Sequence, residues 1–181
     1  MIDPARLVGP ERLVGPERLI VARAGEADVV VASSILTEAA HWLIEIGQPL
    51  WKPEELLPER VLPLVRDGLL YLGRRGGEAV GTICLQWEDH LFWPDVPALE
   101  SGFVHRLAVR RSVAGTGVAP GLLEWAARRV REAGRTYLRL DCSALHPGLQ
   151  AWYESRGFDR HSERQVGPYR VVRYERRVGE R

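Results

Sequence analysis

The chain has 181 residues and a formal net charge of +1, long enough for one domain with a substantial core. So even a balance supplies no broad electrostatic case for nucleic acid or an anionic membrane as partner. Basic charge is almost all arginine, with Lys52 the only lysine, and no uninterrupted apolar run of about 18 residues marks a membrane span or a secretory leader. Residues 7–19 read LVGPER LVGPER L, a duplicated segment too short for a solenoid and broken by Gly-Pro pairs. An extension over residues 1–18 is therefore expected ahead of a single domain over 19–181. Leu19 to Arg23 reads as a short strand. Ala27 to Ile46 reads as a helix with Ile35, Ala39, Leu43 and Ile46 on one face, ended near Gly47. Pro53 to Arg66 is predicted as a second helix. Leu69 to Arg74 and Ala79 to Trp87 form a hairpin turned by Gly76-Gly77. Residues 88–100, with two prolines, are a loop.

The run from 105 to 123, HRLAVRRSVAGTGVAPGLL, is the most informative stretch. An apolar strand from Phe103 to Val109 ends in two arginines. A small-residue turn follows, Ala114-Gly115-Thr116-Gly117-Val118-Ala119. A helix with Leu122, Ala126, Val130 and Ala133 on one face begins at once. Such a turn leaves unpaired backbone N–H groups at a helix N-terminus, where the dipole adds positive charge: a seat for phosphate. The spacing matches neither GxxxxGK[ST] nor the three-glycine dinucleotide fingerprint. By itself a GxG turn reads equally as a loop that needs positive φ. Tyr137 to Cys142 is a further strand, and 146–158, HPGLQAWYESRGF, a short helix closed by Gly157. Phe158 to Arg164 and Tyr169 to Arg176 close the chain as two strands around Gly167-Pro168.

These residues resemble the GCN5-related N-acetyltransferase (GNAT) superfamily. Leu107-Ala108-Val109 matches its strand end, and 114–119 its Arg/Gln-x-x-Gly-x-Gly/Ala loop. Tyr153, Gly157 and Phe158 match a later Asn-x-x-x-x-x-x-Tyr-x-x-x-Gly-Phe pattern. Ala114 replaces the usual Arg or Gln, and His146 stands where the Asn would be. Arg110 or Arg111 is the expected source of the missing charge. The fold implied is α/β: a single domain with a mixed, mostly antiparallel sheet of six to seven strands, flanked by helices and splayed at its central strands. Acetyl-CoA is the implied co-substrate, seated on Leu107, Ala108, Val109, Arg111, Ala114, Gly115, Thr116, Gly117, Val118, Ala119 and His146. His146 is read as a helix cap or a contact to the pantetheine arm, with a plain surface turn histidine as the alternative.

The chemistry of acetyl transfer needs an amine that loses a proton and a donor for the departing thiolate. Tyr153 is the expected general acid, against a packing role beside Trp152 and Phe158. His105 is the expected base, since imidazole suits proton transfer near neutral pH; a satisfied strand histidine or a substrate contact is the alternative. Glu88 and Asp89 are further candidates, as bases acting through water or as contacts to a cationic acceptor, against merely solvating a loop end. Trp42, Trp51, Trp87 and Trp93 are candidates for the acceptor mouth, although packing is the default for each aromatic. The expected reaction moves an acetyl group to a primary amine of a small molecule, because the 88–100 loop is short and aromatic. A peptide or protein N-terminal amine is the alternative acceptor. A non-catalytic acyl-CoA-binding regulatory module is a third reading, kept open by Ala114 and His146. Cys84 and Cys142 lack metal-ligand spacing and read as buried thiols of a reducing cytoplasm. No metal, nucleic acid or membrane partner is expected, and homodimerisation stays open.

Overall fold

A computed structural model describes residues 18–179. The duplicated segment expected as an extension lies almost wholly outside them. Seven strands form one sheet in the order β1-β2-β3-β4-β5-β7-β6. The strands are β1 (Ile20–Arg23), β2 (Leu70–Arg75), β3 (Glu78–Gln86), β4 (Ser101–Val109), β5 (Tyr137–Ser143), β6 (Asp159–Val166) and β7 (Tyr169–Arg177). The helices are α1 (Val29–Glu45), α2 (Pro58–Arg66), α3 (Val118–Glu132) and α4 (Pro147–Glu154).

The expected elements are present with shifted edges. The first helix opens with a 3-10 turn, Glu26–Asp28, before α1. The second is broken: Pro53–Leu56 is 3-10, Leu57 is extended at ψ 157, and α2 restarts at Pro58. Leu57 precedes a proline, which disfavours the helical region there. Counting Glu26–Asp28, the first helix is long and apolar enough to cross a bilayer by length and composition. It is packed instead as a core helix, with Ala32, Ile35, Leu36 and Ala40 fully buried.

Two apolar layers enclose the sheet. Ala32, Ile35, Leu36, Val61 and Val65 of α1 and α2 cover Leu70, Leu72 and Cys84. On the other face Leu122, Leu123, Ala126 and Val130 of α3 cover Ile83, Leu85, Val104, Leu138 and Leu140. Alternation along each strand sorts these side chains to opposite faces.

The junction between β4 and β5 positions the site. It is the sheet's parallel pairing, spanned by the crossover through α3, and it holds four register pairs, Ser101↔Tyr137 to Val104↔Leu140. Beyond Val104 and Leu140 the strands part, although β4 runs on to Val109 and β5 to Ser143. The central strands are therefore splayed. A bulge accompanies the fork: Cys84 faces His105, yet Thr82 faces Ala108. The extra residue is accommodated at Arg106, with φ 51, whose carbonyl accepts a 2.9 Å hydrogen bond from Thr82 Oγ1. Positive φ at a long side chain is strained and is held by its surroundings.

Candidate active site

His105 and Asp141 are the first residues past the fork, one on each strand. His105 Nδ1 lies 3.9 Å from Asp141 Oδ1, and its Nε2 lies 3.1 Å from Asp89 Oδ2. Asp89, at the start of the 88–100 loop, is fixed in turn, since its Oδ1 accepts the N–H groups of Leu91 and Phe92 at 3.1 and 2.9 Å. The ring of Phe92 stands 6.1 Å from that of His105. Burial pushes the Asp89 carboxyl upward, but His105 and the two N–H donors outweigh it, so Asp89 is held below the usual carboxylate range. Asp141 goes the other way: burial, with the Asp89 charge added, pushes it up to about 6 against the pull of His105. The three side chains bring their oxygen and nitrogen ligand atoms within 4.8 Å of one another, a spacing that could also hold a cation.

The proton held by Asp141 links the site to stability. The native state binds it more tightly than an ordinary carboxyl of pKa 3.8 would. The stability this contributes is present below about pH 4 and is lost as pH rises to about 6, so above that the ionised carboxylate costs roughly 2 to 3 kcal/mol. Asp141→Asn is therefore expected to raise the melting temperature at pH 7.5 and to leave it nearly unchanged at pH 4. Equal effects at both pH values in thermal melts would remove the linkage.

The glycine turn supplies the second half of the site. Gly115 and Gly117 have φ 78 and 87, the left-handed region that glycine alone enters freely. No atom lies within 4 Å of where a Cβ would sit on either. Thr116 N–H is bonded to Val113 O. The N–H groups of Gly115, Gly117, Val118 and Ala119 have no acceptor among the described residues. Pro120 in the first turn of α3 has no N–H to satisfy. This cradle, at the dipole end of a 15-residue helix, fits a pyrophosphate.

Other candidates fall in varied places. Arg110 is bound to Glu38 at 2.7 Å and to Ser34 Oγ at 2.6 Å, so its charge is already neutralised. Arg111 stacks on the Trp42 ring, 3.6 Å from its centroid, and its N–H is bonded to Glu38. Arg110 is therefore not free to replace the motif's missing cation, whereas Arg111 is exposed and keeps its charge over the half-buried Trp42 ring. Trp87 packs on the α3 face near Val130, the face opposite His105, and so lines no mouth. Trp93 is 2% exposed, wedged against Phe103, His161, Arg139 and Arg173; it anchors the loop and offers an acceptor no surface. Both corrections follow from burial, the cheaper fate of a large apolar ring. Glu88 points to solvent beside His90 at 3.2 Å, apart from the His105 group. His146 stands at the N-cap of α4, where its carbonyl accepts the N–H groups of Leu149 and Gln150; it is buried, burial pulls its pKa down, and its side chain makes no cap bond. Leu107, Ala108 and Val109 follow the bulge at the end of β4. Trp51 lies in the α1–α2 connection, 5.9 Å from the Arg106 guanidinium.

Tyr153 is 7% exposed. It packs against Trp152, Phe158 and Tyr174, and no hydrogen bond of its hydroxyl is formed among the described residues. Burial first, then the nearby Cys142 and Asp141, push its phenol well above the usual tyrosine range. It keeps its proton at any working pH, and the same burial makes that proton harder to give up. Cys84 and Cys142 are buried and pushed up to about 12, so both are thiols without nucleophilic character.

Sequence reasoning missed Asp141 and Arg106. Asp141 had a signal: in Leu138-Arg139-Leu140-Asp141-Cys142 an acid alternates with a buried apolar row. Arg106 had none, since a bulge has no residue signature here.

A strand fork beside a phosphate cradle, with a base-like group in the fork, is the architecture of an acyl-CoA group-transfer enzyme. The profile of the acetyltransferase (GNAT) family matches residues 36–158, and the chain belongs to that family. An uncharacterized N-acetyltransferase of Bacillus subtilis (strain 168), YesJ, is 27% identical over 141 residues, which cover 73% of this chain and 77% of YesJ. An acetyltransferase of the GNAT family from Listeria monocytogenes superposes with a TM-score of 0.73 at 19% identity, covering 88% of this chain and 95% of that one. AAC(6')-Ib in complex with ribostamycin and coenzyme A superposes with a TM-score of 0.71 at 16% identity, covering 89% and 94%. The protein is an acetyl-CoA-dependent N-acetyltransferase, with acetyl-CoA as co-substrate.

Proposed function

We propose that the protein acetylates a primary amine of a small, cationic molecule, with His105 as base and Tyr153 as acid. The observation that carries this is the imidazole fixed at the fork between two carboxylates. A neutral imidazole has one N–H. The negative charge of Asp89, whose Oδ2 lies 3.1 Å from Nε2 as a charge contact outside hydrogen-bond geometry, favours the hydrogen on Nε2 and the lone pair of Nδ1 on the Asp141 side. An ammonium group arriving there meets Asp141 as counter-ion and gives its proton to Nδ1. Acetyl-CoA supplies the activated acyl group, a thioester. Held in the cradle of 115–119, it brings the reacting atoms together, which lowers the barrier by proximity. Tyr153 holds a proton ready for the sulfur that leaves.

A groove of about 600 Å³ is lined by Glu54, Glu55, Glu59, Leu57 and Arg60 together with Arg106, the neighbour of His105. Its three carboxylates are set against the two guanidinium groups of Arg60 and Arg106, which leaves a slight excess of negative charge. The aminoglycoside ligand of the AAC(6')-Ib neighbour agrees with a small-molecule amine. The buried, free Cys84 and Cys142 fit a cytoplasmic setting, and nothing in the charge balance calls for a nucleic acid or membrane partner. Thiol release measured over a panel of polyamines, aminoglycosides, amino acids and peptides tests the assignment. Turnover confined to peptides with a free N-terminus would replace it by N-terminal acetylation, and binding of acetyl-CoA with no turnover on any amine would make the chain a binding module.

Tyr153→Phe removes the proton and keeps the ring. It is expected to lower kcat about tenfold to a hundredfold while the calorimetric affinity for acetyl-CoA stays within about twofold. A normal kcat would leave Tyr153 a packing role only.

A further inference from the structure

We infer that Arg75, at the end of β2, is a positioning residue for the coenzyme: it orients the glycine turn for the pyrophosphate from the neighbouring hairpin. Its Nη1 donates to Thr116 Oγ1 and its Nη2 to Thr116 O, both at 2.8 Å. Among the described residues these are the side-chain bonds that tie residues 114–117 to the rest of the sheet; the remaining bonds of Thr116, from N and Oγ1, run to Val113 O within the turn itself.

The effect follows from peptide geometry. In a planar trans peptide the carbonyl and the next N–H point in opposite directions. Drawing Thr116 O toward Arg75 therefore turns the Gly117 N–H away from Arg75, to the open side. Gly117, at φ 87, has little intrinsic preference for that orientation over others. A turn flanked by two left-handed glycines needs an outside tie to hold its donors aligned before the ligand arrives, and preorganisation of this kind adds to affinity. Arg75 also brings charge. No carboxylate is paired with it among the described residues, and its Nε is buried without an acceptor. Arg110, by contrast, is neutralised by Glu38, and Arg111 lies on Trp42. The position of Arg75 on a hairpin more than 35 residues upstream of the turn hides this role from any reading of the loop alone.

The assignment rests on the turn as the pyrophosphate seat, and the test separates the two. Arg75→Gln is expected to weaken coenzyme A binding about tenfold in calorimetry. Its affinity for pantetheine, which lacks the pyrophosphate, and its melting temperature without ligand should stay as in the parent protein. Arg75→Lys keeps the charge but cannot make both bonds, and should recover only part of the loss. Coenzyme A affinity unchanged in Arg75→Gln would overturn the inference, as would equal losses for coenzyme A and pantetheine. Full recovery in Arg75→Lys would overturn the positioning role in favour of charge alone. If Gly117→Val binds coenzyme A normally, the turn is not the seat, and the fault lies there rather than with Arg75.

Discussion

Gly117→Val is expected to abolish measurable acetyl-CoA binding while the protein still folds. A valine at φ 87 costs about 1–2 kcal/mol of backbone strain. No atom lies within 4 Å of its Cβ position, so no packing is disturbed. The added side chain fills space on the turn that carries the free N–H donors, and a pyrophosphate could no longer reach them. A fall in affinity of at least about a hundredfold is expected, equivalent to about 2.7 kcal/mol. Gly134→Val is the control, because Gly134 has φ 69 and equally open surroundings but ends α3 far from the turn. It should lose similar stability and keep its acetyl-CoA affinity. Calorimetry and melting curves on both variants decide the matter; parallel losses of binding would reduce the effect to general strain.

His105→Ala is expected to lower kcat by about a hundredfold to a thousandfold, with little change in acetyl-CoA affinity. On the proposed roles, protonation of Asp141, whose carboxyl is pushed up to about 6, removes the counter-ion for the ammonium and raises KM for the acceptor. In His105→Ala that rise of KM near pH 6 should remain, and high pH should restore part of the rate by supplying free amine. Asp89→Asn should behave as a weakened His105→Ala, because the tautomer is no longer fixed. A kcat profile unchanged by His105→Ala would mean that the amine arrives neutral and that proximity carries the rate.

The strand, glycine turn and helix from 103 to 132 were legible because each is a local signal: apolar alternation, positive-φ residues, a helical stripe. The 79–87 strand and its Gly76-Gly77 turn were legible for the same reason. Tertiary choices were not. Trp87 and Trp93 sit on opposite faces of the sheet, and nothing local distinguishes them. Asp89 gains its role from an Asx-type turn and from His105, 16 positions on. Asp141 gains its from the parting of two strands that are distant in sequence. The bulge at Arg106, which shifts the register between His105 and Ala108, depends on Thr82 of the adjacent strand. Arg75 and Thr116 meet only because the hairpin folds back against the turn.

The four register pairs between β4 and β5 have a mechanical consequence. On one side β1 to β4 are neighbours in space and sequence, each pair antiparallel. On the other, β5, β6 and β7 form a second compact set. The sheet is thus two locally folded wings stitched along a short seam, with the fork at His105 and Asp141 at its open end. A ligand that touches the 115–119 turn, which follows the first wing, and Tyr153, which lies within the second, spans that seam as a crosspiece. Coenzyme binding then acts as a clasp on the whole protein: it stabilises the native state by mass action, and amide exchange should slow most along β4 and β5, where the wings would otherwise open first.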